Sequence, residues 1–154
     1  FENRLFRQNS EGQFVDITHD SHAGDRKYGV GCTAGDLDND GDVDLYVTNY
    51  GGDQLYLNNG DATFENVTEI AGFNQNQWGT GVAFVDYNRD GLLDIFVVNY
   101  SEDSIYDHSI ACGFQHGLVS YCGPHKFVPT VDRLLRNDGV KPFGNENDLY
   151  ISQM

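Results

Sequence analysis

The sequence predicts an all-β fold in which blades of four antiparallel strands repeat along the chain. The first observation is that an Asp- and Gly-rich segment, residues 36–44, recurs as residues 86–94, an offset of 50 (86 minus 36). The second is that the flanking segments match at the same offset and are short, β-branched and aromatic, which favours strands over helices. Repeats of this length indicate an array of small units, none of which buries its apolar face alone.

Each repeat opens with a hairpin. In the second repeat the runs 55–57 and 63–67 flank Asn59-Gly60-Asp61, whose residue types are typical of a tight turn. A third strand, 79–85, carries small residues that suit close backbone approach near a crowded axis. The Asp-rich segment follows as a loop, and a fourth strand at 95–100 ends the repeat. Four strands of this kind make one blade of a β-propeller.

The matches divide a single repeat region, residues 1–154, into four parts. They are repeat 1 at about residues 4–53, repeat 2 at about 54–101, an insertion at about 102–130 and a partial repeat 3 at about 131–154. Propellers usually close with about four to eight blades, so this content predicts an incomplete ring.

An incomplete ring exposes strand edges, which natural proteins cover. We therefore expect that these 154 residues do not act as an isolated monomer. Further blades of a longer chain, or other subunits, are expected to complete the fold. The closing run 147–152 is a strand with no Asp-rich loop before it, and we expect it to pair at an edge.

Both Asp-rich loops read D-x-[DN]-x-D-G-x-x-D, with an oxygen donor at every second position and a glycine at the bend. One short loop of this kind can wrap a hard cation, and Ca²⁺ accepts such a flexible shell of oxygen ligands. An EF-hand would need Glu at position twelve, where this chain has Val47 and Val97. The alternative is an acidic turn that binds nothing, but carboxylates this dense repel one another without a cation.

The order Leu-Tyr-Leu-Asn-Asn-Gly-Asp-x-Thr-Phe at 55–64, then Val67-Thr68, then the loop, resembles the FG-GAP/VCBS-type repeat of integrin-α propellers. It is especially similar to bacterial proteins related to cartilage acidic protein 1, the ASPIC/UnbV proteins. The third repeat ends before any such loop and no separate ASPIC/UnbV terminal domain is recognised, so no activity of that domain is carried over.

The resemblance implies a Ca²⁺ ion in each of the two loops. In the first loop the ligands would be Asp36, Asp38, Asp40 and Asp44, with the carbonyl of Asp42. In the second loop they would be Asp86, Asn88, Asp90 and Asp94, with the carbonyl of Leu92.

The composition of the chain limits which kinds of partner and which cellular compartment are expected. The chain has 24 acidic residues against nine Lys and Arg, a formal charge of −15, which argues against nucleic acid or an anionic membrane as a partner. No apolar run approaches the roughly 18 residues that a membrane span needs. Millimolar calcium and oxidising conditions fit a secreted, periplasmic or cell-surface protein.

The cysteines add a prediction about the insertion. Cys112 and Cys122 are expected to form a disulfide that staples this core-poor segment. The alternative is a transition-metal site with His108, His116 and His125, although the spacing is not a recognised zinc pattern. Cys32 replaces Val82 of the other repeat, and we expect it to be a buried apolar thiol.

No catalytic motif accompanies these features. The chain has no G-x-S-x-G elbow, phosphate-binding glycine loop or H-E-x-x-H, so we predict no catalytic residues and no enzyme activity. The predicted function is an extracellular calcium-binding β-propeller module that mediates protein or glycan interaction or adhesion. The alternatives are a structural subunit of a larger extracellular or membrane-associated assembly, and a non-catalytic portion of a larger secreted enzyme.

Overall fold

The computed structural model describes residues 2–73, 77–102, 128–140 and 149–153. These residues form one short helix and ten strands, which confirms the predicted all-β fold. The elements are β1 (Phe6–Gln8), β2 (Phe14–Asp16), α1 (Thr18–Ser21), β3 (Tyr28–Gly35), β4 (Asp44–Tyr50), β5 (Gln54–Asn58), β6 (Phe64–Asn66), β7 (Gln77–Val85), β8 (Asp94–Glu102), β9 (Arg133–Val140) and β10 (Leu149–Gln153).

The strands group into two antiparallel blades. The first blade is β3-β4-β5-β6 and the second blade is β7-β8-β9-β10, each in the order of the chain. A blade therefore starts at the strand before an Asp-rich loop and ends with the hairpin of the following repeat. The predicted insertion lies between β8 and β9, and β10 forms the outer edge of the second blade.

The hairpin β1–β2 forms a two-stranded sheet of its own and repeats the construction of β5–β6. The Leu5 N–H donates to Thr18 Oγ1 at 2.8 Å, and fifty residues later the Leu55 N–H donates to Thr68 Oγ1 at 2.9 Å. The Ile17 N–H donates to the Leu5 carbonyl at 2.9 Å, and fifty residues later the Val67 N–H donates to the Leu55 carbonyl at 3.0 Å. The hairpin β1–β2 is thus built as the outer half of a blade.

The main core lies between the two blades. The first blade and the turn after it contribute most of the buried side chains, and the second blade contributes Ile95, Val97 and Leu135. Tyr46 of β4 is fully buried, and its ring meets Phe73 edge-on with the centroids 5.7 Å apart. The facing apolar sides of the two blades are therefore buried against each other, as expected for a repeat array.

A buried ion pair also links the blades. Arg133 Nη2 of β9 lies 3.0 Å from Asp53 Oδ2, and the two side chains are 10% and 3% exposed. The same carboxylate accepts hydrogen bonds from the Tyr46 hydroxyl at 2.9 Å and from the Asn49 N–H at 3.0 Å. Burial raises the pKa of Asp53, and these donors oppose that shift.

The small residues of β3 and β7 allow the blades to approach closely. A Cβ on Gly31 would stand 3.6 Å from the carbonyl oxygen of Thr80 and 3.2 Å from Thr48 Oγ1. The close backbone approach predicted for the third strand of each repeat is therefore observed between β3 and β7.

The prediction for Cys32 was wrong, because this free thiol is exposed. Its counterpart Val82 packs against the core between the blades. Among the described residues no neighbouring blade packs on the corresponding face of β3, so the Cys32 side chain stays exposed. Cys112, Cys122, His108, His116 and His125 lie outside the described residues.

Among the described residues, no helix has the length and apolarity needed to cross a membrane.

Candidate metal centre

The two Asp-rich loops connect the inner strands of the blades, the first from β3 to β4 and the second from β7 to β8. Both loops turn through left-handed residues at positions four and six, which are Asn39 (φ 61°) and Gly41 (φ 98°) in the first, and Arg89 (φ 63°) and Gly91 (φ 88°) in the second. No described atom lies within 4 Å of a Cβ placed on either glycine. Glycine is therefore needed at position six for its backbone angle and not for space.

Backbone amides orient the first-loop carboxylates. The Gly41 N–H donates to Asp36 Oδ2 at 3.1 Å, the Asp40 N–H to Asp38 Oδ1 at 3.2 Å, and the Asp42 N–H to Asp40 Oδ1 at 2.8 Å. Each bond uses one carboxylate oxygen and holds the side chain in place.

The second loop repeats this pattern. The Gly91 N–H donates to Asp86 Oδ2 at 3.0 Å, and the Leu92 N–H donates to Asp90 Oδ1 at 2.9 Å. Asn88 Oδ1 accepts from the Asp90 N–H at 3.0 Å, and Asn88 Nδ2 donates to Asp90 Oδ2 at 2.7 Å. The backbone path and the bonds to it are thus common to both loops.

Three of the four first-loop carboxylates that the spacing predicted to converge do so, and Asp44 is not in this group. Oxygens of Asp36, Asp38 and Asp40 lie within 4.8 Å of one another. Asp36 Oδ1 is buried and accepts no hydrogen bond from any residue that the structure describes. A buried oxygen without a donor is costly unless a cation faces it, so the donor set fits a hard ion such as Ca²⁺.

The electrostatics of the loop agree with this fit. Burial raises the pKa of Asp38 to about 6, and the negative charges of Asp44, Asp40 and Asp36 add to the shift. Burial also raises the pKa of Asp44, although two backbone hydrogen bonds oppose it. A cation would relieve this repulsion among the carboxylates.

Position nine of each loop has a role that the sequence analysis did not find. Asp44 is fully buried; its Oδ2 accepts the Leu37 N–H at 2.7 Å and its Oδ1 accepts the Asn58 N–H at 2.9 Å. Asp94 is also fully buried and accepts from Tyr87 at 3.2 Å and from Asn137 at 2.8 Å. Each of these carboxylates therefore ties its loop to the third strand of the blade.

The side chains at position seven of the two loops are directed toward Gly60 and Gly139. Asp42 Oδ2 would lie 2.7 Å from a Cβ placed on Gly60, so this carboxylate points toward the β5–β6 turn. Leu92 Cδ1 would lie 3.6 Å from a Cβ on Gly139. These orientations are compatible with the main-chain carbonyl of position seven as a ligand, which stays a prediction.

The two loops lie side by side at one end of the blades. Asn39 Nδ2 donates to the Gly91 carbonyl at 3.1 Å. Asn137 Nδ2 donates to the carbonyls of Leu37 at 2.7 Å and Leu93 at 3.1 Å. Asn137 and Asn58 both follow an apolar run at the start of a repeat, and this shared position is the sequence signal that could have revealed the anchoring role.

The repeated four-stranded blades and the two acidic loops are typical of proteins built from β-propeller-like repeats. The model of the FG-GAP-like repeat family matches residues 2–47 and 36–97. Together these matches cover more than half of the chain, and the chain belongs to the FG-GAP-like repeat family. No curated protein matches the sequence.

Proposed function

We propose that the chain is an extracellular calcium-binding β-propeller module that mediates protein or glycan interaction or adhesion, similar to the ASPIC/UnbV type. One observation carries the calcium part. The carboxylates of Asp36, Asp38 and Asp40 converge, and Asp36 Oδ1 is buried without a hydrogen-bond donor among the described residues. Ca²⁺ would supply the positive charge that this cluster lacks.

In this proposal each loop holds one ion through positions one, three, five and nine and through the carbonyl of position seven. The first site would use Asp36, Asp38, Asp40, Asp44 and the Asp42 carbonyl, and the second Asp86, Asn88, Asp90, Asp94 and the Leu92 carbonyl. Because the loops join the inner strands, bound Ca²⁺ would stiffen both blades. Extracellular sites have dissociation constants of roughly 10⁻⁴–10⁻³ M, so millimolar Ca²⁺ would add about 1 kcal/mol of stability per site.

Titration calorimetry with Ca²⁺ tests the proposal. The unmodified chain should bind two ions, and Asp40→Ala and Asp90→Ala should each abolish one site. Asp42→Ala is the matched control, because it removes an acidic side chain from the same loop and keeps the position-seven carbonyl. A titration without heat of binding, with a melting temperature that a chelator leaves unchanged, would contradict the proposal.

The compartment and partner follow from the ion. Sites of this affinity fill at millimolar calcium, which supports a secreted, periplasmic or cell-surface location. The charge of −15 and the acidic loops support protein or glycan partners over nucleic acid. Binding to an array of glycans and extracellular proteins, with and without chelator, should show calcium-dependent ligands. Calcium-independent binding to DNA or RNA would contradict this part.

A second candidate is a structural subunit of a larger assembly. Phe96, Val98 and Tyr100 of β8 are between 38% and 39% exposed on one face of the second blade. This aromatic and aliphatic face favours packing against another unit. The proposal includes no enzyme activity, and substrate turnover by the purified chain would contradict it.

A further inference from the structure

The two acidic loops differ in how their carboxylate oxygens are used. Both oxygens of Asp86 accept backbone hydrogen bonds, Oδ1 from the Asp90 N–H at 3.1 Å and Oδ2 from the Gly91 N–H at 3.0 Å. Asp90 Oδ2 also accepts a bond from Asn88 Nδ2 at 2.7 Å. In the first loop Asp36 Oδ1 has no donor among the described residues. The first loop therefore offers a free oxygen to a cation, whereas a cation at the second loop competes with hydrogen bonds inside it.

The charges of the two loops favour the first loop as well. The predicted ligands include four carboxylates in the first loop and three in the second, where Asn88 takes the place of Asp38. Arg89 adds a positive charge at position four of the second loop, where the first loop has Asn39. The affinity of a site for Ca²⁺ depends on the charge of its ligands and on its rigidity. The first site should therefore bind the ion more tightly.

A hydrogen bond from the first loop ends on the backbone of the second. Asn39, which lies at position four between two predicted ligands, donates through Nδ2 to the Gly91 carbonyl at 3.1 Å. This carbonyl and the Leu92 N–H belong to one peptide group, which is planar. The Leu92 N–H in turn donates to Asp90 Oδ1 at 2.9 Å. The bond from Asn39 therefore helps to fix the peptide group that orients a predicted ligand of the second site.

A second connection between the loops is buried. Asn137 is fully buried, and its Nδ2 donates to the carbonyls of Leu37 in the first loop at 2.7 Å and Leu93 in the second at 3.1 Å. The Asn137 N–H donates to Asp94 Oδ1 at 2.8 Å, and the Leu37 N–H donates to Asp44 Oδ2 at 2.7 Å. The two loops and their position-nine aspartates are thus held in one hydrogen-bonded network.

We propose that the first loop fills before the second, and that its occupation raises the affinity of the second site for Ca²⁺, with Asn39 as the positioning residue that couples the sites. An ion held by the side chains on both sides of Asn39 fixes this residue and its bond to Gly91. The second loop is then partly ordered before its own ion binds, which lowers the entropy lost on binding. The inference rests on the calcium sites of the proposed function and adds how one site regulates the other.

Electrostatics alone would give coupling of the opposite sign. The first loop has five Asp side chains between residues 36 and 44, so one bound Ca²⁺ changes its charge from −5 to −3. A less negative neighbouring loop attracts the second ion less, and charge by itself therefore predicts weaker binding at the second site. Positive coupling needs the hydrogen-bonded connection, so the sign of the coupling separates the two effects.

Calorimetric titration with Ca²⁺ measures the order and the coupling. Asp40→Ala leaves only the second site, and Asp90→Ala leaves only the first. The first site alone should bind more tightly than the second site alone. The product of the two association constants of the unmodified chain should exceed the product of the single-site constants by about fivefold or more, the range of ordinary coupling between sites.

Variants of Asn39, which is exposed, locate the coupling. Asn39→Gly keeps the left-handed backbone and Asn39→Asp keeps the shape of the side chain, but neither can donate to Gly91. Both variants, measured in the same way, should bind two ions without positive coupling. Circular dichroism shows that each variant is folded.

Arg89→Gly is the matched control, because Arg89 has the same position and the same left-handed backbone in the second loop, with φ 63° against 61° for Asn39. Within the described part of the chain its side chain makes no hydrogen bond to the first loop. Removal of its positive charge should strengthen binding at the second site and leave the coupling factor unchanged.

Three outcomes would overturn the inference. They are two bound ions with no coupling or with negative coupling in the unmodified chain, a second site that binds more tightly than the first, and positive coupling that the folded Asn39 variants retain. In each of these cases the calcium sites of the proposed function stand. An unmodified chain that binds no Ca²⁺ would contradict both the proposed function and the inference.

Discussion

At the scale of single residues, the position-nine aspartates anchor their loops to other strands of the blade. Asp44 and Asp94 are fully buried, and each accepts two backbone N–H groups that belong to different segments of its blade. Asp40, at position five, is exposed and bonds only within the loop region. The two positions should therefore respond differently to the removal of Ca²⁺.

We predict that Asp44→Ala destabilises the protein even without Ca²⁺. The substitution leaves the buried N–H groups of Leu37 and Asn58 without an acceptor, and hydrogen bonds to charged groups contribute about 1.5–3 kcal/mol each. Asp40→Ala in a chelator should be neutral or stabilising, because it removes repulsion in the loop. Urea unfolding of both variants in chelator measures the difference, and equal effects would contradict the anchoring role.

At the scale of elements, the two blades meet through an apolar core and a buried ion pair. Arg133 and Asp53 are 80 residues apart in the chain (133 minus 53), and their side chains are almost fully buried. The single tryptophan, Trp78, lies at the junction, pairs with Tyr50 and meets its ring edge-on at a centroid distance of 5.3 Å. Its fluorescence therefore reports on the contact between the blades.

We predict that Arg133→Leu destabilises the blade junction by about 3–5 kcal/mol, because it leaves the buried Asp53 carboxylate without its counter-charge. Replacing both residues, with Asp53→Asn added, should recover part of this loss, since no uncompensated charge then remains. Urea unfolding followed by Trp78 emission measures both. Arg4→Leu is the control, because the Arg4–Asp16 pair is exposed and should change stability little.

At the scale of the whole molecule, equivalent faces of the two blades differ in how much of their surface is buried. Tyr46 of the first blade is fully buried by the second blade, whereas Phe96, its counterpart fifty residues later, is 38% exposed. Two bound Ca²⁺ ions would also reduce the net negative charge, from −15 to −11 (+4), which weakens self-repulsion. Both features favour packing of another unit on the outer face of the second blade.

We predict that the purified 17.2 kDa chain is not a stable monomer in Ca²⁺. Light scattering should give a defined oligomer, and Phe96→Ser should shift its mass toward the monomer, because it removes the largest apolar side chain of that face. Phe14→Ser is the control, since Phe14 is 70% exposed but lies on the β1–β2 hairpin. A stable, non-aggregating monomer of the unmodified chain would contradict this prediction.

The sequence by itself determined the strands, their turns and the two acidic loops. These features depend on neighbours within a few residues: a glycine at Gly41 and Gly91 permits the bend, and alternating oxygen donors fall on the inside of it. The convergence of Asp36, Asp38 and Asp40 followed for the same local reason. A repeat of 50 residues also predicted that blades pack on one another.

Only the tertiary structure decided where a blade begins, which faces are covered and what position nine does. Pairing of β4 with β5 joins strands from successive repeats, and the repeat pattern is the same for every choice of starting strand. Cys32 and Val82 occupy one repeat position, yet among the described residues a neighbouring blade packs against Val82 and not against Cys32. Asp44 becomes an anchor because the N–H of Asn58 reaches it from another strand. Burial and long-range pairing depend on which segments meet in space, and a local pattern does not contain that information.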